Sequence, residues 1–384
     1  MVQVRRTFIP MMILGFMAVA CLVFAGCSSK TEKPILVGHI APFSGSDKTL
    51  GEHAKQGIVL AVDECNQDER RIAGQKVAVL HVDSQGKSEI AQAEADRLVT
   101  VNKVDGLLTL TTDQESERLA RNVESTSIAL VVCNPVIPSA SETPLSVCLS
   151  PSQQGSSLAR FAQGDDLKAR KAAVVIDTRL GFAGEVANIF AKNWPKDQAH
   201  ALEQWTYDSK DRIKDLAERV QKFNPDCVVL AGAAADLSPW RSALQAAGVK
   251  VPLIFAGPET MATALQSDRE AGRGVYFATS YVPGEEDTDV GKAFAKRFQE
   301  RFHEPPDLNA ALAYDAAGLV FEAIRRSKAN EGTTPREALA KIDSFTGLTG
   351  PFQIKDRVLR RTVYIARLDD GGRVKVVKKF AAED

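Results

Sequence analysis

The chain has few of the residues from which metal or nucleophilic centres are built. Five histidines and six cysteines occur in 384 residues. The histidines are scattered, and no cysteine pair has zinc-ligand spacing, so neither a metal site nor a cofactor is expected. A phosphate-cradling Gly-x-x-x-x-Gly-Lys loop, a Gly-x-Gly-x-x-Gly turn after the first strand, a Gly-x-Ser-x-Gly elbow and a His-Glu-x-x-His pair are all missing. No charge of one sign dominates: 48 basic residues oppose 49 acidic ones, and no basic stripe is visible. Nucleic acid is therefore excluded as a partner. Long hydrophobic runs are missing too, with one exception at the start.

That run extends from Phe8 to Ala25, broken by Pro10 and Gly15, behind the basic pair Arg5-Arg6. Small residues Ala25 and Gly26 precede Cys27, and Ser28-Ser29 follow. The order of basic start, apolar stretch and small residues is that of a secretory signal over 1–26. A transmembrane anchor is the competing reading, but the run barely spans ~30 Å of hydrocarbon and contains a proline. Phe24-Ala25-Gly26-Cys27 resembles the lipobox of bacterial lipoproteins, in which the cysteine is acylated. Cys21, after Ala18-Val19-Ala20, is an alternative site. Losing the leader removes two arginines and no acid, which leaves a net charge of about −3. The expected location is outside the cytoplasmic membrane, held by lipid alone, since each buried CH₂ contributes ~0.8 kcal/mol.

Four cysteines remain. Cys65 and Cys227 fall in a helical and a strand-like stretch and read as buried thiols. Cys133 and Cys148 flank a loop, and an exported protein could bridge them or leave them free.

From Ile35 on, apolar strand-like runs alternate with amphipathic helices. Ile35–Ile40, Val77–Val82, Asp105–Leu110 and Ile128–Cys133 read as strands, with helices over 51–66, 88–101 and 115–124 between them. Ser88 is the expected N-cap of the second helix. After Pro151 the alternation restarts, with strands at Ala172–Ile176, Ala201–Thr206, Cys227–Leu230, Pro252–Phe255 and Val275–Ala278. Helices over 290–302, 308–327 and 335–341 follow, then antiparallel strands to the end. Two βαβ series predict an α/β protein of two Rossmann-like lobes with parallel central sheets. A ligand would sit between the lobes, at the carboxyl ends of strands.

The motifs Gly38-His39-Ile40-Ala41-Pro42-Phe43-Ser44-Gly45, Gly57 through Asn66, Asp83-Ser84, Val104-Asp105-Gly106, Pro225-Asp226, Gly257-Pro258-Glu259 and Ala313-Tyr314-Asp315-Ala316 occur in one order. Together they resemble the leucine/isoleucine/valine-binding protein family, the type I periplasmic solute-binding proteins of ABC transporters. The resemblance spans nearly all of the chain after the leader. It implies two lobes joined by a three-crossing hinge, with 34–148 plus 284–347 in one and 149–283 plus 348–384 in the other. It also implies an amino acid or related polar solute as ligand, an ABC permease as partner, no catalysis, and a monomer. The same fold acting as a ligand-sensing receptor through a partner protein is the alternative.

Site residues follow from the resemblance. Glu259 falls where the family pairs an acid with a ligand ammonium. Thr109 and Asp113 replace the family's strand-end glycine and its carboxylate-binding serine. Two carboxylates repel, so Thr111 or Thr112 would have to supply a hydroxyl instead. Val136 would offer a carbonyl. Phe182 is either a ring stacked on the ligand or a core residue, and Arg179 either a partner for a ligand carboxylate or a solvated cation. Leu50 and Ala233 stand where larger aromatics are common. Asp113 with Glu259 would suit a cationic or donor-rich ligand such as an amide, urea or amine.

Overall fold

The computed structural model describes residues 33–111, 113–138, 144–261 and 268–382. The leader with Cys21 and Cys27 lies outside them, as do Thr112 and the side chain of Asp113. Among the described residues no helix is long and apolar enough to cross a membrane.

The first sheet holds β1 (Ile35–Ala41), β2 (Val77–Asp83), β3 (Gly106–Thr109), β4 (Ala129–Val132) and the two-residue β5 (Leu145–Ser146). All pair in parallel, in the order β2-β1-β3-β4-β5. Helices α1 (Lys48–Cys65), α2 (Ser88–Thr100) and α3 (Asp113–Val123) form the crossovers. Strands buried on both faces need apolar residues at odd and even positions alike. Leu108 and Val131 accordingly join a core with Ile58 of α1, while Leu107 and Leu130 join Leu98 and Leu119 on the other face.

The second sheet repeats this plan. Its parallel strands β6 (Lys171–Asp177), β7 (Ala201–Tyr207), β8 (Cys227–Ala231), β9 (Leu253–Phe255) and β10 (Tyr276–Thr279) are covered by α4 (Pro151–Gln163), α5 (Gly181–Lys192), α6 (Ile213–Phe223) and α7 (Leu237–Ala246). Val174 packs with Phe161, Val186 and Phe190; its neighbour Val175 packs with Leu216, Val220 and Trp240. After the one-turn α8 (Arg269–Gly272) and β10, the chain returns to the first lobe. There α9 (Asp289–Phe302) and α10 (Leu308–Ala329) pack on α1. Gly57 permits that packing, since a Cβ there would lie 2.0 Å from the Ala310 carbonyl oxygen. Then come α11 (Pro335–Ala340), a three-stranded antiparallel sheet of β11 (Ser344–Gly347), β12 (Gly350–Lys355) and β13 (Val358–Arg360), and finally β14 (Val363–Leu368) and β15 (Val374–Phe380) on the edge of the second sheet.

The chain thus passes between the lobes three times, at 147–150, 280–288 and 361–362. The last crossing differs from the boundary expected at 347/348. Phe352 and Leu359 lie in the first lobe's core, because β12 pairs with β11 before the chain leaves. Ser88 also differs: it is the first residue of α2, after Lys87, and makes no side-chain cap. Thr288 caps α9 and Asp307 caps α10 with their side chains, and Ser150 with Gln153 and Thr334 with Glu337 form reciprocal pairs around a following proline.

Register sets His39 of β1 beside His81 of β2, with Nδ1 atoms 2.9 Å apart. Burial, and then nearby charge, hold His39 well below its ordinary value; burial and Lys55 hold His81 at about 4. In the unfolded chain both bind protons near pH 6.5, and in the folded protein only well below it. Their contribution to stability is therefore complete above pH 6.5 and is lost as pH falls from there towards 4. Urea denaturation midpoints should drop over that window, and the drop should shrink in a His39→Leu/His81→Leu variant.

Candidate functional site

The carboxyl ends of both parallel sheets open on one cleft of about 680 Å³. Small-molecule sites enclose roughly 300–1,000 Å³. From the first lobe come Pro42 and Leu50 around the start of α1, Ser84 after β2, Leu110, Thr111 and Glu115 after β3, and Asn134-Pro135 after β4. Asn309 joins them from the first turn of α10. The second lobe supplies 179–183 at the start of α5, Ala233 after β8, and Pro258 and Thr260 after β9. Gly51 lets α1 begin so close to the cleft, since a Cβ there would meet the Pro42 carbonyl oxygen at 2.0 Å.

Of the expected residues, Leu50, Thr111, Arg179, Phe182 and Ala233 line this cleft. Phe182 does so while 4% exposed and packed into the second lobe's core. Arg179 is half-exposed, but its charge is already engaged. Its Nε and Nη2 donate to Asp177 at 2.8 and 2.7 Å, and Nη2 is 3.5 Å from Asp236. The Arg179 hydrogen bonds hold the Asp177 carboxyl below the usual range. Thr111 shares its hydroxyl with Ser116 at 2.9 Å, and Ser116 donates to Asn134 Oδ1 at 2.9 Å, which stiffens this wall.

Two expectations need correction. Val136 is buried in the first lobe's core and does not line the cleft; Asn134 and Pro135 do. Glu259 is 1% exposed and lies behind the cleft wall. Its Oε1 accepts the Leu149 N–H and its Oε2 the Ser280 N–H, both at 2.6 Å. The loop carrying it turns Pro258 and Thr260 to the cleft and the carboxylate between them into the hinge. Glu259 therefore ties the first crossing to the second. Burial pushes its carboxyl up, while Arg361 and these hydrogen bonds pull it down.

The third crossing is tied by Arg361, which is 1% exposed. Its Nη1 donates to the Val147 carbonyl at 2.9 Å, and its Nη2 to Asp315 Oδ2 at 2.9 Å and Thr349 Oγ1 at 3.1 Å. Asp315 in turn accepts the Leu348 N–H. Sequence reasoning placed Asp315 in a motif but gave no signal for Arg361.

Cys133 and Cys148 are both free and buried in the first lobe's core. Parallel pairing sets Val132 opposite Ser146, so Cys148 is one residue out of step with Cys133, against the matched Cβ geometry a bridge requires. Burial pushes the Cys133 thiol up to about 12 and the Cys227 thiol likewise. A thiol reagent should thus label none of the four core cysteines in the native protein and all four in denaturant; a missing pair after denaturation would reveal a bridge.

Sequence reasoning missed Ser84, Gly86 and Asn309 as cleft residues, and Asn309 is the buried one with an open acceptor. It is 2% exposed, and its Nδ2 donates to Asp307 Oδ2 at 3.1 Å. A carboxylate only accepts, which fixes the amide's orientation. Its Oδ1 is then a buried acceptor without a donor among the described residues.

A family model described as periplasmic binding protein matches residues 34–373. The chain belongs to this family. Its fold is similar to that of a leucine-binding protein, LivK, from Thermotoga maritima, at 21% identity over 91% of this chain and 99% of that one, with a TM-score of 0.75. The branched-chain amino acid transporter substrate-binding protein LivJ of Streptococcus pneumoniae, solved with isoleucine, gives 22% identity, 91% and 100% coverage and a TM-score of 0.74. An ABC-transporter solute-binding protein of R. palustris, solved with 4-hydroxybenzoate, gives 20%, 91% and 97%, and 0.73. No curated protein matches the chain. The solved periplasmic binding proteins of this shape thus hold both amino acids and aromatic acids, and the shared shape assigns neither to this one.

Proposed function

We propose that this periplasmic binding protein captures a small polar solute for an ABC-type importer, exported and tethered through an acylated Cys27. The solute is an amino acid or an amino-acid-like molecule, with amides, ureas and amines in its range. Asn309 carries this reading: a buried acceptor in a cleft wall is costly until a donor meets it, by about 1–3 kcal/mol. Among the described residues, the one arginine that lines the cleft is committed to Asp177 and Asp236. The balance favours a ligand end that donates hydrogen bonds. The apolar wall of Leu50, Phe182 and Ala233 covers the ligand's carbon skeleton.

Closure of the lobes is favoured when one ligand touches both. Calorimetric titration with amino acids, amides, amines and aromatic acids tests the assignment. A donor-bearing solute should bind, and Asn309→Ala should weaken it about tenfold with little change in Tm. Binding of an aromatic acid alone, unaffected by Asn309→Ala, would sink the substrate assignment. A signalling partner in place of the permease would be revealed by cross-linking the tethered protein in its membrane.

A further inference from the structure

A second cavity, of about 570 Å³, lies beside the hinge and is separate from the cleft. Its walls come from both lobes: Lys355 and Arg360 from the three-stranded sheet of the first, and Ser152, Ser156 and Arg160 from α4 of the second. Arg361, on the third crossing, forms part of the wall between them. Lys355, Arg360 and Arg160 therefore share one opening with Glu185 and Asp356, while the charge of Arg361 is paired with Asp315. The N-terminus of α4, thirteen residues long, also lies here; the Ser150–Gln153 pair takes up its Gln153 N–H, and its partial positive charge adds to theirs.

Arg361 supplies an independent observation. Its Nη atoms donate to Val147, Asp315 and Thr349, and its guanidinium lies over the Phe352 ring, 4.3 Å from the centroid. Its Nε–H is buried and has no acceptor among the described residues. A buried charged donor left unpaired is costly, and its residue lines this cavity.

We infer that this hinge-side cavity binds a small anion bearing phosphate or carboxylate oxygens, held between Arg360 and Lys355 of one lobe and the start of α4 on the other. An anion bound across two lobes favours one interlobe angle over others, so it would bias the cleft without entering it. The anion could be free in solution or be the headgroup of an anionic lipid.

The test uses the full exported protein in three forms: wild type, Lys355→Ala/Arg360→Ala and Arg179→Gln. Both mutated cavity residues are exposed, so the double variant should fold as wild type does. Titration with inorganic phosphate and with citrate, and co-sedimentation with phosphatidylglycerol vesicles, are the readouts. Saturable binding of a free anion that falls about tenfold or more in the double variant, but persists in Arg179→Gln, supports a solution ligand. Vesicle binding with that same dependence supports the lipid source. No saturable binding of either kind overturns the site. So does binding that survives in the double variant, or that is lost only in Arg179→Gln, because the anion would then be elsewhere.

Discussion

Arg361→Met is expected to lower the unfolding free energy by about 3–5 kcal/mol, the usual cost of removing one partner of a buried ion pair. Methionine keeps the aliphatic stem but lacks the guanidinium, so the loss combines the polar network with the contact over the Phe352 ring. Asp315 would keep the Leu348 N–H but lose the charge that opposes its desolvation. The Val147 carbonyl and Thr349 hydroxyl would lose their donor. Burial already pushes the Asp315 carboxyl up. In the variant it should rise further, so the variant's deficit should narrow as pH falls towards 4 and the acid is protonated. Urea denaturation at pH 7 and pH 5 measures both quantities. An unfolding free energy within 1 kcal/mol of wild type, a marginal effect by the general scale of point variants, would show that this crossing is held by packing alone.

Glu259→Gln should be almost as damaging to stability and should leave a ligand's affinity nearly unchanged. Two N–H groups, of Leu149 and Ser280, point at the two carboxylate oxygens. A glutamine offers one oxygen and one NH₂, so one buried N–H would face another donor. The cost is about 1–3 kcal/mol for the unsatisfied group, seen as a lower Tm. The opposite result is what an ammonium-binding acid would give: Tm preserved, with binding of amine ligands reduced at least about tenfold. Measuring Tm and affinity on one variant therefore separates the hinge role from the ligand role.

Most helices and strands were legible because each depends on local pattern. Continuous apolar runs such as Ala172–Ile176 serve both faces of a sheet, and the helix read over 308–327 recurs as α10. The short β5 and β13 were not, because two or three residues carry no period, and only their partners make them strands. At the cleft, the loops were identified from the rule that ligands sit at strand ends, and five of the nominated side chains line it. Glu259 shows the limit of that reasoning. Sequence placed it correctly on a loop at the end of β9, but side-chain direction depends on what lies behind the loop.

The sequence by itself determined two α/β lobes, their order along the chain and the strand ends that meet at the cleft. Periodicity, turn residues and the order of motifs are properties of neighbours in the chain. The tertiary structure alone decided which acid faces the ligand space and which one ties the hinge. It did so by bringing Glu259 to the Leu149 and Ser280 amides, and Arg361 to Asp315, across separations of 21 to 110 residues. It also left Asn309 Oδ1 without a donor among the described residues, a deficit visible only in the folded arrangement.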